Sequence, residues 1–395
     1  MKSLLCLNAG SSSIKFAVYD IEDDARALRQ TRGKIENIGI APHLVAHSSN
    51  GEQLIDKTWD NEENKAQSHE DVLGFLLDWI TRSLNGRTLL AIGHRVVHGG
   101  TRFSQPEQVT GELLHELDQL ITLAPLHQPH NLSAIRACLS LLPAVPQVVS
   151  FDTAFHFDMP ETATRFAIPY SFHEKGVRRY GFHGLSYEYI SKQLRKIDAE
   201  AASGRTIVAH LGNGASLCGM LNGKSIDTTM GFTALDGLMM GTRCGNIDPG
   251  VVLHLQTAFG MSAKEVEILL YKKSGLLGVS GISSDMRALT QSDKASAKSA
   301  IDLFTWRAAR EIGALTSSLG GLDNLVFTAG IGENSAEVRA KICDKLKWLG
   351  VEIDHTANVR NDLMISDANS KISVRVIPTD EEQMIAEHTL EKLSN

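Results

Sequence analysis

Leu211-Gly212-Asn213-Gly214-Ala215-Ser216, in the middle of the chain, has a counterpart near its start, Leu7-Asn8-Ala9-Gly10-Ser11-Ser12. In each, an apolar run ends in a turn of small residues and a second apolar run follows. Residues 206–211 and 217–221 read as strands, and Asn222-Gly223 is a hairpin signal leading to a third over 224–228. Residues 4–7 and 14–19 give the same strand–turn–strand at the start. Two halves that open alike predict a duplicated domain with a cleft between the copies. A length of 395 residues makes two domains the default expectation.

Composition narrows the function. Hydrophobic content of 43% and charged content of 22% are those of an ordinary globular protein with an ample core. A net charge of -7 and no long basic run argue against nucleic-acid binding. Five scattered cysteines, without metal-ligand or CxxC spacing, fit reduced thiols in a cytosol. No apolar run approaches a membrane span, and the start is too short for a signal-peptide core. A soluble cytoplasmic protein is expected.

The chemistry concentrates between Tyr180-Gly181-Phe182-His183-Gly184 and Asp248-Pro249. Glycines there let backbone N–H groups approach an anion, and Arg243 supplies a fork that fits phosphate or carboxylate. Phosphoryl transfer needs such a set, since it depends on positioning and charge neutralisation. Lys15 follows the first hydroxyl-rich turn, but the spacing is not that of a P-loop. A buried strand over 89–97 carries Arg95 near its carboxyl end, a favoured ligand position in α/β folds. A strand over 145–151 ends on Asp152. Helices are expected over 70–84, 113–123, 249–257, 263–273 and 295–319, with Asn131 capping one that runs to 142. A strand over 325–329 runs into the glycine turn Gly330-Ile331-Gly332-Glu333-Asn334, with a helix beginning near Ser335, a natural nucleotide pocket. The acids of Pro378-Thr379-Asp380-Glu381-Glu382 open the last helix, where they suit its dipole or a metal.

These motifs resemble the acetate kinase family of the acetate and sugar kinase/Hsp70/actin superfamily, from residues 7–16 to Thr379-Asp380-Glu381-Glu382. Arg179-Tyr180-Gly181-Phe182-His183-Gly184 and the run 210–248 are the most specific. The resemblance implies an α/β fold of two duplicated ribonuclease-H-like (actin-like ATPase) domains with an interdomain nucleotide cleft. The first would hold residues 1–150 plus 380–395. The second, 151–379, would carry the nucleotide site and the interface of a homodimer. ATP/ADP, Mg²⁺ (Mn²⁺ may replace it), a short-chain carboxylate and an acyl phosphate are the implied ligands. By motif, Asn8 and Glu381 would hold the metal, and Lys15 would lie near the phosphates. Arg95 would bind the substrate carboxylate, with Val97, Leu126 and Ala234 around its alkyl group. Asp152, His183 and Arg243 would be catalytic. His210, Leu211, Gly212, Asn213 and Gly214, Asp285, Met286 and Arg287, and Gly330 to Asn334 would hold the nucleotide. Ala234 stands where the family often has proline, within Phe232-Thr233-Ala234-Leu235-Asp236.

The implied reaction is reversible transfer from ATP to acetate by direct in-line attack, giving acetyl phosphate and ADP. Acetate is already ionised at neutral pH, so no general base is needed and Asp152 is expected to orient or anchor Mg²⁺ rather than take a proton, the acid/base role often given to it in the family being the alternative. Propionate or another short-chain acid is the alternative acceptor. A non-transferring ATP-binding module of the same fold is the remaining alternative.

Overall fold

The computed structural model describes residues 2–10, 13–22, 26–59 and 68–394. Ser11 and Ser12 of the first turn therefore lie outside the described residues. The chain forms two compact units, Met1–Ala154 with Asp380–Asn395, and Phe155–Thr379.

The first unit opens on β1 (Lys2–Ala9) and β2 (Ile14–Ile21), followed by β3 (Ala27–Glu36), β4 (His43–Ser48) and β5 (Gln53–Thr58). Then come α1 (His69–Ser83), β6 (Thr88–Val96), β7 (Glu107–Gln108), α2 (Gly111–Gln119), α3 (Gln128–Leu141) and β8 (Gln147–Phe151). One sheet runs β5-β4-β3-β2-β1-β6-β8-β7. Its first five strands are antiparallel neighbours, whereas β1, β6 and β8 are parallel. Leu4, Leu5, Cys6 and Leu7 are all buried, as a strand covered on both faces requires. One face packs Leu5, Leu7, Phe16 and Ile92 with Val72, Leu76 and Ile80 of α1 and Ala134 and Cys138 of α3.

The second unit carries α4 (Glu161–Thr164), α5 (Tyr170–Glu174), α6 (Gly184–Ile197) and α7 (Ala199–Ser203) before β9 (Arg205–Leu211), β10 (Ala215–Leu221) and β11 (Lys224–Thr228). Next come α8 (Pro249–Thr257), α9 (Ala263–Lys272), α10 (Gly275–Ser280), α11 (Met286–Thr290), α12 (Ala295–Leu319) and β12 (Asn324–Thr328). The unit closes with α13 (Ala329–Asn334), α14 (Ala336–Asp344), α15 (His355–Arg360) and β13 (Ser373–Val376). Its sheet runs β11-β10-β9-β12-β13, with β9, β12 and β13 parallel and the rest antiparallel. This order and polarity repeat those of β3-β2-β1-β6-β8. Tyr187, Ile190 and Leu194 of α6 pack on Val208, Cys218 and Val326.

The last helix, α16 (Glu381–Ser394), belongs to the first unit and lies on β1, β6 and β8. Gly93 permits this approach, because a Cβ there would sit 2.4 Å from Thr389 Oγ1 and 2.6 Å from Ile385 Cγ2.

Three sequence expectations are corrected. The helix expected over 113–123 ends at Gln119 and continues as a 3-10 turn to Leu123. Asn131 does not cap a helix: α3 begins at Gln128, with proline in the first turn where its missing N–H costs nothing. Gly330 to Asn334 is not an open turn but lies within the short helix α13.

Candidate active site

In the first unit the candidate residues gather at the carboxyl ends of β1, β6 and β8. Asn8 and Lys15 face one another in the β1–β2 pairing. Arg95 sits one residue before the end of β6, and Asp152 follows β8 directly, its N–H bonded to Val96 O at 3.1 Å. Arg95 Nε donates to both Asp152 oxygens at 2.9 Å. Its Nη1 donates to Asn8 Oδ1 at 3.2 Å, and Asn8 Nδ2 donates to Glu381 Oε2 at 3.0 Å. Arg95 is 16% exposed and Asp152 1% exposed. Burial works against the guanidinium charge, but Asp152 outweighs it and holds Arg95 firmly protonated. Beside Glu381, the Glu382 carboxyl is pushed up by burial and by its neighbour's charge, with Lys15 opposing.

Burial in the β6–β8 corner also acts on neutral groups. His94 and His98 are both lowered to about 4 by desolvation. Val97 is buried, and Leu126 is half-buried in the turn before α3. Asn131, which sequence reasoning placed at a cap, reaches this corner instead. Its Nδ2 donates to Ala9 O at 2.6 Å, and its Oδ1 accepts from Val97 N–H at 3.0 Å.

In the second unit the set gathers on the β9–β10 turn and the N-terminus of α6. His183 has φ 60, a conformation rare outside glycine, and precedes α6 without any side-chain cap. Its Nδ1 is 2.8 Å from Ser216 Oγ, which also bonds Tyr187 Oη at 2.5 Å. The His183 and His210 rings stack at 4.1 Å. His210 Nδ1 is 2.8 Å from Ser186 Oγ, which also accepts from Thr379 Oγ1 at 2.9 Å. In the turn itself, Gly212 N–H bonds Gly214 O at 3.1 Å, just after Leu211 ends its strand. A Cβ on Gly214 would lie 3.3 Å from His183 Nε2 and 3.8 Å from Arg243 Nη1. These three residues therefore share one small space.

Arg243 Nη1 donates to Ala234 O at 2.9 Å, so it is the carbonyl of residue 234 that has a visible contact. The Arg243 loop is closely tied down. Gly241 N–H bonds Asn213 O at 3.0 Å, and Leu276 and Leu277 N–H bond Met240 O and Gly241 O at 2.9 Å. Gly275, at φ 61, is needed there because a Cβ would meet Met240 O at 2.2 Å.

The remaining nucleotide candidates divide. Glu333 Oε1 accepts from Ala329 N–H at 2.8 Å and Thr379 N–H at 3.0 Å. The protein's own carboxylate thus occupies the first amide of α13. That leaves Gly330, Ile331, Gly332 and Asn334 as the part of the run open to another role. Asp285 caps α11 and pairs with Arg287 at 2.8 Å, which holds its carboxyl below the usual range. Met286, next to them, is buried.

Among the described residues no cluster of three or more His, Cys, Asp or Glu side chains could hold a metal alone. No helix among them is long and apolar enough to cross a membrane.

Comparison with known proteins shows the family. Residues 3–387 match the model of the Acetokinase family. An acetate kinase of Rhodopseudomonas palustris (strain ATCC BAA-98 / CGA009) is 52% identical over 389 residues, covering 98% of this chain and 97% of that protein. The crystal structure of a propionate kinase from Francisella tularensis superposes with a TM-score of 0.90 at 40% identity, covering 98% and 99% of the two chains. Porphyromonas gingivalis acetate kinase superposes at 0.85 with 37% identity, over the whole of both chains. The chain belongs to the acetokinase family, and its two sheets are those of the paired actin-like ATPase domains of that family.

Proposed function

We propose that the chain is an ATP-dependent acetate kinase, transferring the γ-phosphoryl group reversibly to acetate and giving acetyl phosphate and ADP. The observation that carries the reading is Arg95, a nearly buried cation fixed at the end of β6 by both oxygens of Asp152. Such a group binds a small carboxylate in a definite orientation. Acetate arrives ionised, with a pKa of roughly 4–5, so nothing needs to remove its proton. The obstacle is repulsion between two anions. Arg95 and Lys15 in one unit and His183 and Arg243 in the other are the groups assigned to offset it.

Asp152 is assigned as the anchor of Arg95, which donates to both of its oxygens, beside the role of orienting or anchoring Mg²⁺ expected from sequence. Mg²⁺ fits the remaining donors. Magnesium uses one or two protein oxygens and leaves other positions to water and phosphates. Glu381 offers one carboxylate and Asn8 one amide oxygen. When bound, the ion would neutralise phosphate charge. His210, Asn213 and the glycine turn between them are assigned to the phosphates. His183, held by Ser216 on its Nδ1 side, is assigned to the transferring phosphoryl group.

Val97 favours acetate over longer acids, since a β-branched wall leaves room for little beyond a methyl or ethyl group. A homodimer formed through the second unit is supported by its exposed apolar residues, among them Tyr170, Phe172, Leu253 and Phe259. Light scattering on the purified protein tests that state. The function itself is tested by trapping acyl phosphate with hydroxylamine, using ATP and acids of two, three and four carbons. The highest kcat/KM is expected for acetate. ATP hydrolysis indifferent to all three acids would refute the reading, and a preference for propionate would move it to the neighbouring activity.

A further inference from the structure

Asn131 is 2% exposed and lies in the first turns of α3. Its carboxamide joins two strands where their own ladder ends. The β1–β6 pairing stops at Leu7 and His94. Beyond that point Asn131 Nδ2 holds Ala9 O and Asn131 Oδ1 holds Val97 N–H. Ala9 follows Asn8, and Val97 lies two residues past Arg95. Gln128, three residues earlier on the same helix, grips the next residue along: its Oε1 accepts from His98 N–H and its Nε2 donates to His98 O, both at 3.2 Å. The Arg95-to-Asn8 bond at 3.2 Å lies just across this bridge.

We propose that Asn131 is a positioning residue for the transfer reaction, setting the separation of Asn8 from Arg95 and Val97 by bridging the ends of β1 and β6. The inference rests on the assignment of the acceptor and metal to that corner. It requires one donor and one acceptor on a single rigid group. A carboxamide supplies both, while an ionised carboxylate supplies only acceptors.

Asn131→Asp tests this without changing shape. When protonated, the new carboxyl donates to Ala9 O and accepts from Val97 N–H. When ionised, it still accepts from Val97 N–H but sets its other oxygen, now an acceptor, against the Ala9 carbonyl. Burial raises the pKa of such a carboxyl. The mutant-to-wild-type ratio of kcat is therefore expected to fall on the order of 10–100-fold as pH rises from about 5 to about 8. His69, whose Nε2 bonds Gly10 O, together with His98, His130, Arg95, Asp152, Glu381 and Glu382, is common to both proteins and cancels in the ratio. A second readout is independent of activity: hydrogen exchange at the Val97 amide, compared with wild type at the same pH, should accelerate in Asn131→Ala at every pH, whereas Asn131→Asp, which keeps an acceptor for that N–H, should leave it protected. A flat kcat ratio in Asn131→Asp, unchanged Val97 protection in Asn131→Ala, or a loss that merely follows the unfolded fraction seen by circular dichroism overturns the positioning role. If wild type itself forms no acyl phosphate from any carboxylate, the underlying functional reading fails instead.

Discussion

The β1–β2 corner and the β9–β10 corner are built on the same five-strand order, yet they carry opposite kinds of chemistry. The first is ionic: Arg95, Asp152, Asn8 and Glu381 form one chain of hydrogen bonds, with Asp152 buried and the other three half-buried. The second is held by neutral groups: Ser216, Tyr187 and Ser186 orient two stacked histidines, and glycines make space for Arg243. A shared topology fixes where strand ends fall. Side chains then set their chemistry, and under the proposed function the first corner takes the carboxylate with its metal and the second the phosphates.

If the first corner is ionic in the energetic sense, breaking its pair is costly. Asp152→Ala strands Arg95 and should lose about 3–5 kcal/mol of stability by urea unfolding. Its acyl phosphate formation should fall on the order of 10²-fold or more. A loss below about 1 kcal/mol would place the pair in solvent-like surroundings and remove the contrast.

Acid should probe both units. His94 and His98 in the first and His156 in the second have pKa values lowered to about 4 by burial. His156 bonds Ser225 Oγ at 2.7 Å and Phe182 O at 3.0 Å, next to His183. Each is depressed below its unfolded value, so the unfolded chain binds the proton first as pH falls. Their stabilisation is complete above about pH 6.5 and lost between there and about pH 4, at roughly 2–3 kcal/mol each. Calorimetry across that window checks it, and His156→Gln should flatten the loss.

Gly241→Ala addresses the second corner alone. Its Cβ would fall 1.9 Å from Asn213 Oδ1 and 3.2 Å from Ser284 O, so the Asn213 side chain, assigned to the phosphates, must turn away. The ATP KM is expected to rise while the acetate KM holds. Val97→Ala addresses the first corner alone and should improve kcat/KM for propionate relative to acetate by roughly tenfold. Smallest is Ser216→Ala, which removes a neutral hydrogen-bond hub and should cost about 1 kcal/mol of stability.

Much of this was legible in the sequence because it rests on local signals. An apolar run followed by a small-residue turn marked both corners, and a charged residue at the end of an apolar run marked Arg95 and Asp152. What could not be read depends on distant backbone. The partners of Asn131 are main-chain atoms 122 and 34 residues away, and no side-chain pattern announces such bonds. α6 escaped notice because it starts at a left-handed His183 with no capping residue. The glycines of 330–334 suggested an open anion cradle, yet Glu333 folds back on the first amide of α13. The positions of Lys15, Arg95 and Arg243 were marked by local signals, whereas their specific roles come from motif resemblance.

The most direct measurement is the steady-state kinetics of acyl phosphate formation by Arg243→Ala. If preorganised positive charge makes the transfer possible, kcat should fall on the order of 10²–10⁴-fold while the acetate KM moves by no more than about threefold. Near-normal turnover, or a loss confined to the acetate KM, would contradict it.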